Sequence, residues 1–136
     1  MENKRALGSK YEDLAVAYLE ELGFEILERN YRTRFGEIDI IAREYVEEKV
    51  FHRTIGSDYL CFIEVKYRSS NGSGTPFDAI NYHKMRQISR CALHFLRENR
   101  ISDNQSMRFD VIGIQGDCGI ELIRNAFPFS GKIPDF

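Results

Sequence analysis

Apolar residues recur at intervals of three and four positions in two stretches of the chain, which predicts two helices with one apolar face each. Gly23 follows the first stretch and predicts the end of that helix, because glycine adopts a left-handed cap conformation without steric cost. The second stretch predicts a helix from Pro76 to Asn99, with Thr75 as its N-cap. The apolar positions are Tyr11, Leu14, Ala15, Tyr18, Leu19 and Leu22 in the first stretch, and Ile80, Ile88, Cys91, Ala92, Phe95 and Leu96 in the second.

Short runs of β-branched and aromatic residues elsewhere in the chain predict strands. Residues 43–58 leave three alternatives open: an extension of the preceding strand, a hairpin arm or a loop. The order α-β-β-β-α-β-β predicts an α/β fold with a mixed sheet flanked by helices. The predicted strands are 24–29, 37–42, 59–67, 107–115 and 119–125, with turns or loops at 32–36, 69–74 and 116–119.

The run 59–67 is the clearest strand in the sequence. Leu60 and Phe62 lie on one face together with Glu64 and Lys66, because side chains two positions apart in a strand point the same way. The other face carries apolar residues as well, and a strand covered on both faces is typical of the centre of a sheet. The residues of that second face are Cys61, Ile63, Val65 and Tyr67.

Composition predicts one globular domain spanning residues 1–136, since the chain has 136 residues and 43% of them are hydrophobic. The net charge of -2 excludes a general polycation that coats nucleic acid, but not local basic surfaces. The three cysteines form no C-x-x-C pair, so we expect reduced thiols rather than a zinc or disulfide site. The sequence shows neither a signal peptide nor a membrane-spanning run, and we expect a cytoplasmic protein without membrane contact.

Glu64 and Lys66 are the first candidates for chemistry. A carboxylate can bind a divalent cation, while a neighbouring lysine can orient a water molecule and stabilise charge on a phosphate. The alternative is an ordinary surface ion pair. Asp39, in the preceding strand, would converge on the same cation if the two strands are neighbours. Its alternative role is to cap a turn.

Two helical residues are further candidates. Glu12 falls at the flank of the first apolar face, from which it could reach over the sheet; otherwise it is a solvated carboxylate. Lys84 falls inside the apolar face of the second helix, where its long stem either snorkels or brings a second cation to a phosphate. Arginines supply local positive charge, although such clusters are often simply solvated. The candidates for nucleic-acid contact are Arg29, Arg32, Arg34, Arg68, Arg86 and Arg90, and Arg86 and Arg90 are predicted to face outward.

Together these residues resemble the uncharacterised bacterial family UPF0102, also called YraN-like. That family is similar to the archaeal Holliday junction resolvases and to the restriction-endonuclease-like PD-(D/E)-x-K superfamily. The resemblance departs from the superfamily pattern at Ile38, which replaces the usual proline before the acid, and in the long segment 43–58. The matching stretches are Gly8-x-x-x-Glu12-x-x-Ala15, Arg29-Asn30-x-Arg32, Gly36–Ala42, Phe62–Arg68, Lys84, Arg108–Val111 and Asn125–Phe127.

The resemblance implies a restriction-endonuclease-like core with α-β-β-β-α-β order plus a C-terminal strand, and a Mg²⁺-dependent site, with Mn²⁺ as a substitute. Asp39, Glu64 and Glu12 would bind the metal, Lys66 would serve the attacking water, and Lys84 would assist. The substrate would be DNA, including branched DNA, and a homodimer would supply two sites. The alternatives are a nucleic-acid-binding module without catalysis and a structural domain.

Overall fold

The computed structural model describes residues 4–68, 80–116 and 119–130. Within these residues the order of elements is α-β-β-β-α-β-β, which confirms the predicted order. No helix in these ranges combines the length and the apolar character needed to cross a membrane. The elements are α1 (Lys4–Glu21), β1 (Glu25–Thr33), β2 (Gly36–Val50), β3 (Arg53–Arg68), α2 (Tyr82–Glu98), β4 (Met107–Gln115) and β5 (Ile120–Ile123).

The strands form one mixed sheet in the order β1-β2-β3-β4-β5. Neighbouring strands are antiparallel except β3 and β4, which are parallel and are therefore joined by a crossover that contains α2. The central position of β3 confirms the prediction made from its two apolar faces. The predicted turn at 32–36 is shorter in the structure, because pairing of β1 with β2 continues to Thr33 and Gly36.

The two helices cover opposite faces of the sheet. Phe62 packs with Ile88 and Phe95 of α2, whereas Ile63 packs with Ala15 and Leu19 of α1. The alternation predicted for β3 is therefore confirmed. The apolar face of α1 is narrower than predicted, because its outer members are exposed and the buried positions centre on Ala15 and Leu19. The exposed members are Leu14 and Leu22.

Both helices end or begin at an identifiable cap. Gly23, with φ of 96°, ends α1 in a Schellman motif: its N–H donates to the Glu20 carbonyl, and the Phe24 N–H donates to that of Leu19. The predicted start of the second helix is wrong. Asn81 is extended, with φ of -104° and ψ of 175°, and its side chain caps a helix that begins at Tyr82. The predicted cap at Thr75 and the loop 69–74 lie outside the described residues.

Residues 43–58 form both an extension of the strand and a hairpin arm. Pairing of β1 with β2 stops at Arg43, and β4 meets β3 only from Leu60 onward. Beyond those points β2 and β3 pair only with each other, up to Val50 and Arg53. The arm therefore lacks the apolar cover of the core, which explains why its sequence is more polar than the rest of these strands.

Candidate active site

The strands β2 and β3 separate beside Asp39. Their paired register runs from Val50 opposite Arg53 to Ile40 opposite Ile63 and stops there. Beyond that point the Val65 N–H donates to Oδ2 of Asp39 at 2.8 Å, so a side-chain carboxylate replaces the usual main-chain acceptor. A carboxylate is thereby held between the two strands, at a fork in the sheet.

Glu64, next to Val65 in β3, carries the second carboxylate of the fork. Its side chain is only 4% exposed. Nζ of Lys66 lies 3.3 Å from Glu64 Oε1, and Nζ of Lys84 lies 3.2 Å from the same oxygen. Oε2 is buried and has no hydrogen-bond partner among the described residues. An ionised oxygen without a donor is costly in a buried site, so this atom is a candidate ligand for a cation.

The cap of α2 positions Lys84. The Asn81 side chain accepts a hydrogen bond from the Lys84 N–H at 2.9 Å, which fixes the first turn of the helix at this residue. From there the ammonium group reaches Glu64 in β3. The side chain of Lys84 therefore points toward the sheet, as the position of Lys84 in the helical pattern predicts.

The two carboxylates of the fork repel each other. Burial, together with the negative charge of Glu64, raises the pKa of Asp39 from 3.8 to about 7. The Val65 hydrogen bond and the charge of Lys84 act in the opposite direction but do not outweigh burial and repulsion. Carboxylates with this environment are typical of functional sites, because a substrate or cation relieves the repulsion when it binds.

Glu12 reaches the same region from α1. It lines a cavity of about 530 Å³ whose walls also include Asp39. Its Oε1 accepts hydrogen bonds from Arg29 Nε at 3.1 Å and Asn30 Nδ2 at 2.8 Å. In residues 4–68, 80–116 and 119–130 no group of three or more His, Cys, Asp or Glu side chains is placed to hold a metal ion. The structure thus joins Asp39 and Glu64 and keeps Glu12 as a neighbour across the cavity.

The arginines of the first predicted basic cluster have different partners. Arg29 is held by Glu12 and by Asp13, and Arg32 lies 3.4 Å from Glu37. Arg34 in the β1–β2 turn and Arg90 in α2 both lie over the ring of Phe35, at 4.9 and 5.6 Å from its centroid. Two predicted basic clusters, distant in sequence, therefore meet at one aromatic ring.

The remaining predicted arginines differ from each other. Arg68 is exposed at the end of β3. Arg86 was predicted to face outward with Arg90, but it is half-buried and its Nε is inaccessible, without a partner among the described residues. Arg86 therefore does not face outward as Arg90 does, which is exposed.

A buried ionic network was not predicted. Arg108 Nε and Nη2 donate to the two oxygens of Asp110 at 2.8 Å, and Nη2 also donates to Glu44 at 2.7 Å. Arg124 holds both oxygens of Glu44 at 2.9 and 2.8 Å. The alternation of Arg108 and Asp110 in one strand was a visible signal, but the distance in sequence to Glu44 hid its partner. This network lies near Phe24.

The fold and the fork define a class of protein: a mixed α/β domain whose central strands separate around a buried Asp–Glu pair with two lysines. The model of the uncharacterised protein family UPF0102 matches residues 11–114, and the chain belongs to that family. It is similar to a UPF0102 protein of Acetivibrio thermocellus, with 46% identity over 92% of this chain and 93% of the relative. A UPF0102 protein of Lachnoclostridium phytofermentans is 42% identical over 96% of this chain and 99% of the relative.

Proposed function

We propose that this protein is a Mg²⁺-dependent endonuclease that hydrolyses phosphodiester bonds in DNA, including branched DNA. The observation that carries the proposal is the meeting of Asp39, Glu64 and two lysines at the fork between β2 and β3. Carboxylates that bind a cation beside ammonium groups that face a phosphate are the parts that metal-assisted phosphodiester hydrolysis requires. The resemblance to the restriction-endonuclease-like superfamily supports the same reaction.

The two carboxylates fit a small divalent cation, Mg²⁺ or Mn²⁺. Oε2 of Glu64 is buried without a hydrogen-bond partner among the described residues, and repulsion from Glu64 helps to raise the pKa of Asp39. A cation held by both carboxylates would give Oε2 of Glu64 a partner and would reduce the repulsion between Glu64 and Asp39. Proteins usually bind Mg²⁺ through one or two carboxylates plus water and phosphate oxygens, so a pair suffices. Glu12 remains a proposed third ligand, although Arg29 and Asn30 hold its Oε1.

The lysines have separate roles in the proposed reaction. When bound, the cation would lower the pKa of a water molecule and withdraw charge from the phosphate. Lys66 would orient the attacking water, and Lys84 would balance the negative charge that develops on the phosphate. The water oxygen forms a bond to phosphorus and releases a proton. The bond to the 3′ oxygen breaks, and this oxygen takes up a proton, which leaves a 3′-hydroxyl and a 5′-phosphate.

Calorimetric titration with Mg²⁺ and with Mn²⁺ tests the metal site. We expect the wild-type protein to bind the cation, and Glu64→Gln and Asp39→Asn to lose binding, because each removes one negative charge while it keeps the shape of the side chain. Glu48→Gln removes an exposed carboxylate from the hairpin arm and should bind as the wild type does. Equal binding by all four proteins would contradict the proposed site.

Cleavage of single-stranded, duplex and branched DNA tests the reaction. Lys66→Met should bind the metal normally but cleave at least about 100-fold more slowly, the cost of losing one group that stabilises the transition state. Lys49→Met, in the exposed part of the arm, is the matched control and should cleave normally. If the wild-type protein cleaves none of these DNAs with either metal, the enzymatic proposal fails.

A second candidate function is nucleic-acid binding without catalysis. The observation that favours it is the convergence of Arg34 and Arg90 on Phe35, which involves neither carboxylate of the fork. This function predicts DNA binding that weakens as salt increases, survives Glu64→Gln and is reduced in the double variant Arg34→Met, Arg90→Met. Binding without any cleavage by the wild type would favour it over the endonuclease.

A further inference from the structure

Two tyrosines form a stacked pair in the wall of the cavity that Asp39 also lines. The rings of Tyr11 in α1 and Tyr67 in β3 are 3.9 Å apart between centroids and 14° from parallel. Both residues line the cavity of about 530 Å³, and Tyr67 is 37% exposed. Contact between α1 and β3 explains why the rings meet. It does not explain why this aromatic surface stays open to a cavity with charged walls.

The stack lies close to the fork along a single strand. The N–H of Val65 holds Asp39, and Tyr67 follows two positions later on the same face of β3. Side chains two positions apart on a strand are separated by about 7 Å. Tyr67 thus lies with Val65 on the α1 face of β3, whereas Glu64 and Lys66 lie on the α2 face. Asp39, which accepts the Val65 N–H and also lines the cavity, joins the aromatic surface to the fork.

The other walls of the cavity match the remaining parts of a nucleotide. Among the described lining residues Arg32 is basic and Glu12, Glu37 and Asp39 are acidic, while Gly8 and Ser9 leave room at the side of α1. The volume falls within the range of about 300 to 1,000 Å³ that is usual for small-molecule sites. The aromatic wall suits the flat face of a base, and Arg32 can contact the phosphate that adjoins this base.

We propose that the Tyr11–Tyr67 stack binds an unpaired base next to the phosphate that is cleaved. In a duplex each base is covered by its neighbours, so only a base outside the helix can lay its face on a tyrosine ring. The substrate class is therefore DNA with an unpaired nucleotide beside the cleavage position, as in a bulge, a single-stranded tail or a branch point. Every base has such a face, so stacking selects for the absence of pairing and not for sequence. The inference relies on the proposed function for the position of the phosphate.

Binding measured by fluorescence anisotropy in EDTA tests the inference without cleavage. Two DNAs are compared: a duplex with one bulged adenine, and the same duplex with an abasic sugar at the bulge. Tyr67→Leu should weaken binding of the adenine bulge about tenfold and leave the abasic bulge unchanged, because leucine removes the ring on which the base stacks. Tyr67→Phe keeps the ring and should bind both DNAs as the wild type does.

A structural role for Tyr67 would change binding of both DNAs equally, and that result would overturn the inference. So would wild-type binding that does not distinguish the two bulges. The outcome is independent of catalysis. If the wild-type protein cleaves DNA but binds the two bulges equally, only this inference is rejected. If it shows the expected difference in binding but cleaves no DNA with Mg²⁺ or Mn²⁺, only the endonuclease proposal is rejected.

Discussion

At the scale of single residues, the two carboxylates of the fork, Asp39 and Glu64, repel each other. The sheet holds Asp39 by a hydrogen bond from Val65, but burial and the charge of Glu64 raise its pKa to about 7. The ionised acid is therefore less stable in the folded protein than in the unfolded chain. Such a conflict is typical of sites whose geometry serves a ligand rather than stability.

Asp39→Asn should stabilise the metal-free protein at pH 8. The pKa of Asp39 is higher in the folded state than its ordinary value of 3.8, so the stabilising contribution of the protonated acid is complete below pH 3.8. This stabilising contribution is lost as the pH rises through the folded-state pKa of about 7. Asparagine does not ionise, and we expect a gain of at least about 1 kcal/mol in the free energy of unfolding at pH 8, since one pKa unit corresponds to about 1.4 kcal/mol.

Urea unfolding in EDTA at several pH values measures this gain. The difference between Asp39→Asn and the wild type should shrink toward zero near pH 4. Asp103→Asn, at an exposed position, should differ little from the wild type at every pH. A loss of stability in Asp39→Asn at pH 8 would show that the carboxylate is not destabilising.

At the scale of elements, the hairpin arm is the least constrained part of the sheet. Its tip consists of Phe51 and His52, which both have positive φ values, 48° and 68°. Phe51 is 93% exposed. Within the arm, the far end of the exposed Tyr45 ring lies where a side chain at position 56 would be, so this ring covers Gly56. The arm is held by strand pairing and local contacts, without a core of its own.

Replacement of Phe51-His52 by Asn-Gly should stabilise the protein by about 1 kcal/mol. Two consecutive residues with positive φ form the type of hairpin turn in which asparagine and glycine are favoured, and a non-glycine residue there is strained. Urea unfolding at pH 7 measures the gain. No gain from Asn-Gly would mean that strain at the tip is negligible.

At the scale of the whole molecule, the buried ionic network joins distant segments. Arg108 and Asp110 belong to β4, Glu44 to β2, and Arg124 follows β5. The Asn125 N–H also donates to Asp110, at 2.9 Å. Burial alone would raise the pKa of Glu44, but the hydrogen bonds from Arg124 and Arg108 outweigh burial and lower the pKa. The stabilising effect of this carboxylate is therefore present above its ordinary pKa and lost as the pH falls through the lowered value.

Arg108→Met should destabilise the protein by about 3–5 kcal/mol, because removal of one partner leaves a buried charge without compensation. Asp110, which is 0% exposed, would be that charge. Arg43→Met is the matched control: Arg43 lies 3.5 Å from Asp58 at the surface, where the expected cost is less than about 1 kcal/mol. Urea unfolding at neutral pH measures both. Equal costs for the two variants would contradict a structural role for the network.

The fold could be predicted largely from local patterns. The alternation in β3 assigned its two faces, and Gly23 ended α1 as expected, because strand alternation and helix caps depend on neighbouring residues. The start of α2 could not be predicted so well. Thr75-Pro76 and Asn81 are both suitable helix starts by residue type, so the sequence did not single out Asn81, which caps α2 in the structure.

By itself the sequence determined the element order, the central strand and the candidate residues for chemistry, because residue type and periodicity are local properties. These candidates are Asp39, Glu64, Lys66 and Lys84. The tertiary structure alone decided which of these meet. In the fork, Asp39 accepts a hydrogen bond from Val65 and Lys84 forms an ion pair with Glu64. Outside the fork, Glu12 accepts a hydrogen bond from Arg29, and the rings of Tyr11 and Tyr67 stack. These contacts join residues far apart in the chain, and their geometry depends on how strands separate and helices dock, which no local pattern encodes.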